Sequence, residues 1–192
     1  ITKAIIKWIE SLKWLTSTLS TRPLLTIYHP TKPWKIIKQK TASLVAACCG
    51  TGACSVVEDK KIVDLMINIG TNVGMAFQIK DDIFDFGSSE NIGKPTGIDI
   101  RERKMTLPLI YTLNRVDSKS KRNIINTFKR HNEDTVKVNE VIKMVIENGG
   151  IKYAETKMHE YKNKALLEIK NIPDSPSKSA FIGLIEYSIN RE

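Results

Sequence analysis

Apolar residues recur along most of this chain with the 3.6-residue period of an α-helix, and the strict alternation that marks strands is almost absent. That property confines the fold class to all-α. Residues 3–19 place Ile5, Ile9, Leu12 and Leu15 on one helical face, and Pro23, Pro30 and Pro33 then break any continuation. A second helix is expected from Trp34 through Lys40 and Thr41 toward Ala47, kinking or stopping at Gly50-Thr51-Gly52. Glu58 to Phe86 reads as one long helix with Asp59 as its N-cap. Residues 87–100 are too rich in Gly and Pro for a helix. Helical patterns resume near Lys104–Leu113 and over 119–131, 134–147, 151–170 and 177–190.

With 192 residues, the chain can bury the core of one ordinary domain. Its 41% hydrophobic and 27% charged residues exclude a disordered tail, a collagen-like chain and a disulfide miniprotein. The longest mostly apolar run, Leu44–Val57, has 14 residues. A membrane span needs roughly 20, so no transmembrane segment is expected. Cys48, Cys49 and Cys54 are odd in number and lack zinc-ligand spacing, which predicts small buried thiols in a reducing, cytoplasmic setting. Thirty Lys and Arg against 21 Asp and Glu leave a net charge of +9, which suits either an anionic partner or a solvated basic surface. The most basic stretch, 115–132, has no interleaved aromatics beyond Phe128, so a solvated face is expected there and no nucleic acid. Gly70-x-x-x-Gly74 reads as close helix packing in a core.

The chemistry concentrates in Gln78-Ile79-Lys80-Asp81-Asp82-Ile83-Phe84-Asp85. At about 100° per residue, Gln78, Asp81 and Asp85 fall within roughly 60° of one another, with Asp82 flanking. The rest of the circumference is apolar, so the carboxylates need a cation, and three like charges together invite a divalent one. Acids near a helix C-terminus also oppose the macrodipole, a cost that favours a functional reading. Lys94 in the Gly-rich loop, followed by Arg101, Arg103 and Lys104, adds the positive charge that diphosphate oxygens require.

The segment FQIKDDIFDFGSSENIGKPTGIDIRERKMTLPLIYTL, Phe77 to Leu113, resembles the second aspartate-rich region of the trans-polyprenyl diphosphate synthases. KTASLVAACCGTGA, from Lys40, is similar to the Lys-Thr helix of that family, and GGIKYAETKMHEYKNKALLEI, from Gly149, to its C-terminal part. The resemblance covers residues 34–192 and leaves residues 1–33 without a recognisable match. It implies an all-α bundle around a central cavity and Mg²⁺-dependent condensation of an allylic prenyl diphosphate with isopentenyl diphosphate. It further implies that Asp81 is a metal ligand, with Asp82 and Asp85 holding metal-bound water and neighbouring lysines. Lys40, Lys94 and Lys104 would contact the allylic diphosphate, Thr41 and Gln78 would flank the developing cation, and Phe77 would line the isopentenyl side.

A complete member of that family carries two aspartate-rich motifs and dimerises, whereas this chain has one Asp-Asp pair, Asp81-Asp82. The chain is therefore expected to be the C-terminal part of a synthase. A partner subunit or degenerate remnant without turnover of its own is the alternative, and a basic helical nucleic-acid-binding module a remote one.

Overall fold

In a computed structural model the described residues are 41–87 and 96–190. Lys40, Lys94 and the whole of residues 1–33 lie outside them. Among the described residues there are eight helices and no strand. We label them α1 (Ser43–Cys54), α2 (Lys60–Phe84), α3 (Ile98–Arg101), α4 (Leu107–Leu113), α5 (Ser118–Arg130), α6 (Thr135–Glu147), α7 (Gly150–Ile169) and α8 (Pro176–Asn190). The described residues divide into two units, 41–78 with 158–190, and 79–87 with 96–157.

In the first unit α2 packs tightly on α1. A Cβ on Gly70 would stand 2.8 Å from the Val45 carbonyl oxygen, and one on Gly74 2.5 Å from Ala42 Cα, so the two glycines set the approach of the helices. This is the close packing that Gly70-x-x-x-Gly74 predicts. α1 does not stop at Gly50-Thr51-Gly52 but continues through Gly50 and Gly52 to Cys54. Tertiary packing overrides the weak helix propensity of glycine here, because a Cβ at Gly50 would meet Ile67 Cγ1 at 2.6 Å. The thiols also differ from expectation. All three are free, as foreseen, but Cys48 is exposed and Cys49 and Cys54 are only half-buried. Burial pushes the Cys49 thiol pKa up, and the neighbouring Cys48 adds to the rise. On the C-terminal side of this unit, Ile169, Ile185 and Ile189 are buried, and Lys162 Nζ pairs with Glu186 at 2.8 Å.

Asp59 begins α2 as anticipated, its carboxylate accepting the Lys61 N–H at 2.8 Å. By length and composition α2 meets the test for a membrane span, which no stretch of the sequence was expected to do. Part of its apolar window is buried within the chain, and the glycine contacts to α1 are those of a core helix.

In the second unit Asp117 and Asp134 cap α5 and α6, each accepting two backbone N–H groups. α5 turns Ile124, Thr127 and Phe128 inward and leaves Lys119, Arg122, Lys129 and Arg130 exposed, the solvated basic face expected. Gly149, with φ 75°, turns the chain into α7. A Cβ at Gly150 would stand 2.7 Å from the Pro108 carbonyl oxygen, and Tyr153 of α7 stacks on Tyr111 of α4 at 4.2 Å between ring centroids.

Candidate functional site

The first element of the site lies where α2 crosses the start of α1. With Gly74 pressed on Ala42, Gln78 one turn further along α2 comes within reach of Thr41. Thr41 Oγ1 donates a hydrogen bond to Gln78 Oε1, joining two residues 37 positions apart. Gln78 is only 7% exposed, and Thr41 sits in a π-helical turn ahead of α1. Phe77 is half-buried.

The second element lies at the C-terminal end of α2, where the carboxylates are less alike than the helical spacing suggests. α2 ends at Phe84, two residues before the expected Phe86, so Asp85 stands in a turn and not on the helical stripe. Asp81 is exposed. Asp82 is 6% exposed, and its carboxylate accepts a long hydrogen bond, 3.4 Å, from the Leu107 N–H at the start of α4. Asp85 accepts the Asp99 N–H at 3.1 Å, and the Ile98 N–H as well, while its carbonyl accepts the Gly97 N–H at 2.9 Å. Those donors open α3, a four-residue helix that begins inside the stretch expected to be loop, 87–100. Gly97 can precede it because φ is 77° there, and because a side chain would strike Val138. Two of the three carboxylates thus serve as remote caps for the next two helices, where the macrodipole favours negative charge. The expected gathering of Asp81, Asp82 and Asp85 on one stripe gives way to this division, because Asp82 and Asp85 face the starts of two different helices and Asp85 lies past the end of α2.

Asp85 is half-buried beside Asp99. Burial first, and then the Asp99 charge, push its carboxyl up to about 6, against the lowering pull of the two N–H groups and of Lys104. Lys104 is exposed, pairs with Glu102, and lies 3.4 Å from Asp99 Oδ1. The hydrogen bond with Glu102 is the main reason its ammonium pKa is raised. Asp85, Asp99, Glu102 and Lys104 form one cluster of mixed charge. Sequence reasoning had named only Asp85 and Lys104 of these four as site residues. Glu102, between Arg101 and Arg103, was legible as the acid in a basic run. Arg101 and Arg103, expected to face anionic groups with Lys104, instead bind the turn before α6. Arg101 reaches Thr135 Oγ1 at 3.1 Å, and Arg103 reaches Asn132 Oδ1 at 3.2 Å.

Among the described residues no three of His, Cys, Asp and Glu converge as a metal cage. That is compatible with Mg²⁺, which is bound through one or two carboxylates with waters and substrate phosphates completing the shell. The exposed Asp81 fits that mode, and the half-buried Asp85 offers a second hard oxygen donor.

An all-helical chain with this architecture has the isoprenyl synthase helical fold. A geranylgeranyl pyrophosphate synthase from Bacteroides thetaiotaomicron superposes with a TM-score of 0.81 at 32% identity, over 99% of this chain and 62% of that one. A second, from Corynebacterium glutamicum and complexed with calcium and isoprenyl diphosphate, gives 0.81 at 28%, over 100% of this chain and 60% of that one. Solanesyl diphosphate synthase 1 of Arabidopsis thaliana, a chloroplastic protein, is 33% identical over 153 residues, covering 79% of this chain and 36% of its own. The polyprenyl synthetase family model matches residues 23–145, and the chain belongs to that family. The match starts upstream of residue 34. The chain spans less than half the length of the curated relatives it matches.

Proposed function

We propose that the chain acts in head-to-tail prenyl transfer, contributing the second aspartate-rich half of a site that joins an allylic prenyl diphosphate to isopentenyl diphosphate. In this reaction the allylic C–O bond breaks and diphosphate departs. The isopentenyl double bond then attacks the allylic carbon, and loss of a proton completes the longer polyprenyl diphosphate. The observation that carries the reading is the mixed-charge cluster at the end of α2, in which Lys104 is held by Asp99 and Glu102 beside Asp85. It suits a ligand that carries both cation and diphosphate.

Asp81, with Asp85, would hold Mg²⁺, which supplies charge neutralisation at the departing diphosphate. Lys104 offers an ammonium to the same oxygens, and Lys40 and Lys94 are assigned there by family likeness. Asp82, tied to the start of α4, holds the helix end rigid. Thr41 commits its proton to Gln78, so its oxygen keeps lone pairs available to a developing positive charge. Phe77 is assigned to the isopentenyl side by the same likeness. A cytoplasmic setting rests on the free thiols, and a homodimer and residues 34–192 as the C-terminal part of a synthase domain rest on the resemblance alone.

Calorimetric titration of inorganic pyrophosphate with and without Mg²⁺ tests the reading. Binding that requires Mg²⁺ and disappears in Asp81→Ala supports it, and Mg²⁺-independent or absent binding refutes it for this chain. The single Asp-Asp pair favours one further reading, a subunit that binds but does not turn over. Mg²⁺-dependent binding without any condensation product from the two diphosphates would select it.

A further inference from the structure

Between α3 and α4 the chain passes through Glu102, Arg103 and Lys104 without regular structure. Arg103 adopts φ 57°, a conformation that a non-glycine residue holds only when its surroundings impose it. The residue imposing it is Asn132, in the turn between α5 and α6. Its Nδ2 donates to the Arg101 carbonyl at 2.5 Å, and its Oδ1 accepts from Arg103 Nη2 at 3.2 Å. One side-chain amide thus grips the loop on both sides of Glu102, and it is only 9% exposed. The guanidinium of Arg101 adds bonds to Thr135 Oγ1 at 3.1 Å and to the Glu133 carbonyl at 3.4 Å. The anchor is itself firm, because Asp134 caps α6 by accepting the Val136 and Lys137 N–H groups.

We infer that Asn132 is the positioning residue for Lys104, clamping the strained loop so that the Lys104 ammonium is presented beside Asp99 and Asp85. This rests on the proposed diphosphate role of Lys104 and adds a residue that touches no substrate. Lys104 follows directly on Arg103, and its own N–H is bonded to the Asp99 carbonyl at 2.7 Å. Releasing residues 101 and 103 would let the loop relax out of the left-handed turn and carry the ammonium away. Nothing in the sequence marks Asn132, which stands in an unremarkable His-Asn-Glu-Asp connection.

The test compares the full chain with Asn132→Ala, Lys104→Met and the double variant by titration with Mg²⁺-pyrophosphate. Asn132→Ala is expected to weaken binding about tenfold, the scale typical of losing a supporting hydrogen-bond partner. In the Lys104→Met background it is expected to add nothing. An equal loss in both backgrounds, or no loss in either, would overturn the assignment. Amide hydrogen exchange supplies a second readout that needs no ligand. The Lys104 N–H should exchange faster in Asn132→Ala while the Val141 and Val145 amides inside α6 keep their protection. Arg103→Ala, at an exposed position, should reproduce a smaller part of the effect and guards against a folding failure in Asn132→Ala. Unchanged Lys104 exchange in both variants refutes the clamp. If the unaltered chain does not bind Mg²⁺-pyrophosphate, the function proposed above fails, and the exchange data still decide whether Asn132 holds the loop.

Discussion

The two ends of α2 use the same side chain in opposite circumstances. At the N-terminal end, exposed Asp59 accepts the Lys61 N–H of its own helix, where the macrodipole welcomes a negative charge. At the C-terminal end, Asp81, Asp82 and Asp85 crowd where the dipole of α2 opposes them. Asp82 and Asp85 escape that conflict by facing the starts of α4 and α3. Asp81, by contrast, stays exposed. An acidic helix end is therefore not by itself a metal site. The exposed carboxylate is the one that solvent and a ligand can reach.

The comparison can be broken at each carboxylate in turn. Asp81→Ala should lower affinity for Mg²⁺-pyrophosphate on the order of a hundredfold, about 2.7 kcal/mol, with an unchanged thermal midpoint. A stability loss instead would make Asp81 another structural acid. Asp82→Ala should destabilise the fold by about 2 kcal/mol in urea titration, since it leaves the buried Leu107 N–H without its acceptor. Asp59→Ala should cost about 1 kcal/mol, the usual worth of an exposed cap, without altering ligand binding.

Asp85→Asn gives a change of the opposite sign. The folded chain holds the Asp85 proton up to about pH 6, whereas the usual carboxyl releases it near 3.8. Below the lower value both states are protonated and the group is neutral in its effect. As pH rises from there to about 6, the unfolded chain loses the proton while the folded chain retains it, so stability falls, and the penalty persists above. Asparagine can still accept the Asp99 N–H, so the variant should show a flatter urea midpoint between pH 4 and 6. A wild-type profile that does not fall across this interval would show that Asp85 is not held protonated.

Much of the local structure was legible. Asp59 marks a helix start because a short side-chain oxygen satisfies N–H groups that any α-helix leaves open, whatever surrounds it, and Asp117 and Asp134, not singled out in the sequence, cap α5 and α6 in the same way. Gly149 marks a helix junction for an equally local reason, its positive φ. Gly50 and Gly52 misled because propensity counts the missing Cβ as a cost, while packing against Ile67 leaves no room for a Cβ at Gly50. In the site, Thr41 and Gln78 came from family likeness and the structure joins them, whereas the three aspartates were placed by angle on a helix that ends before the third.

The sequence by itself determined the all-α class, most helix boundaries and the family, because periodicity, caps and motif depend on residues close along the chain. Only the tertiary structure decided which acid caps which helix, that Arg101 and Arg103 bind the turn before α6, and that Asn132 grips the loop before Lys104. Those partners lie 14 to 34 positions apart. A hydrogen bond over such a separation exists only once packing has brought its two ends within about 3 Å, and no local pattern encodes that distance.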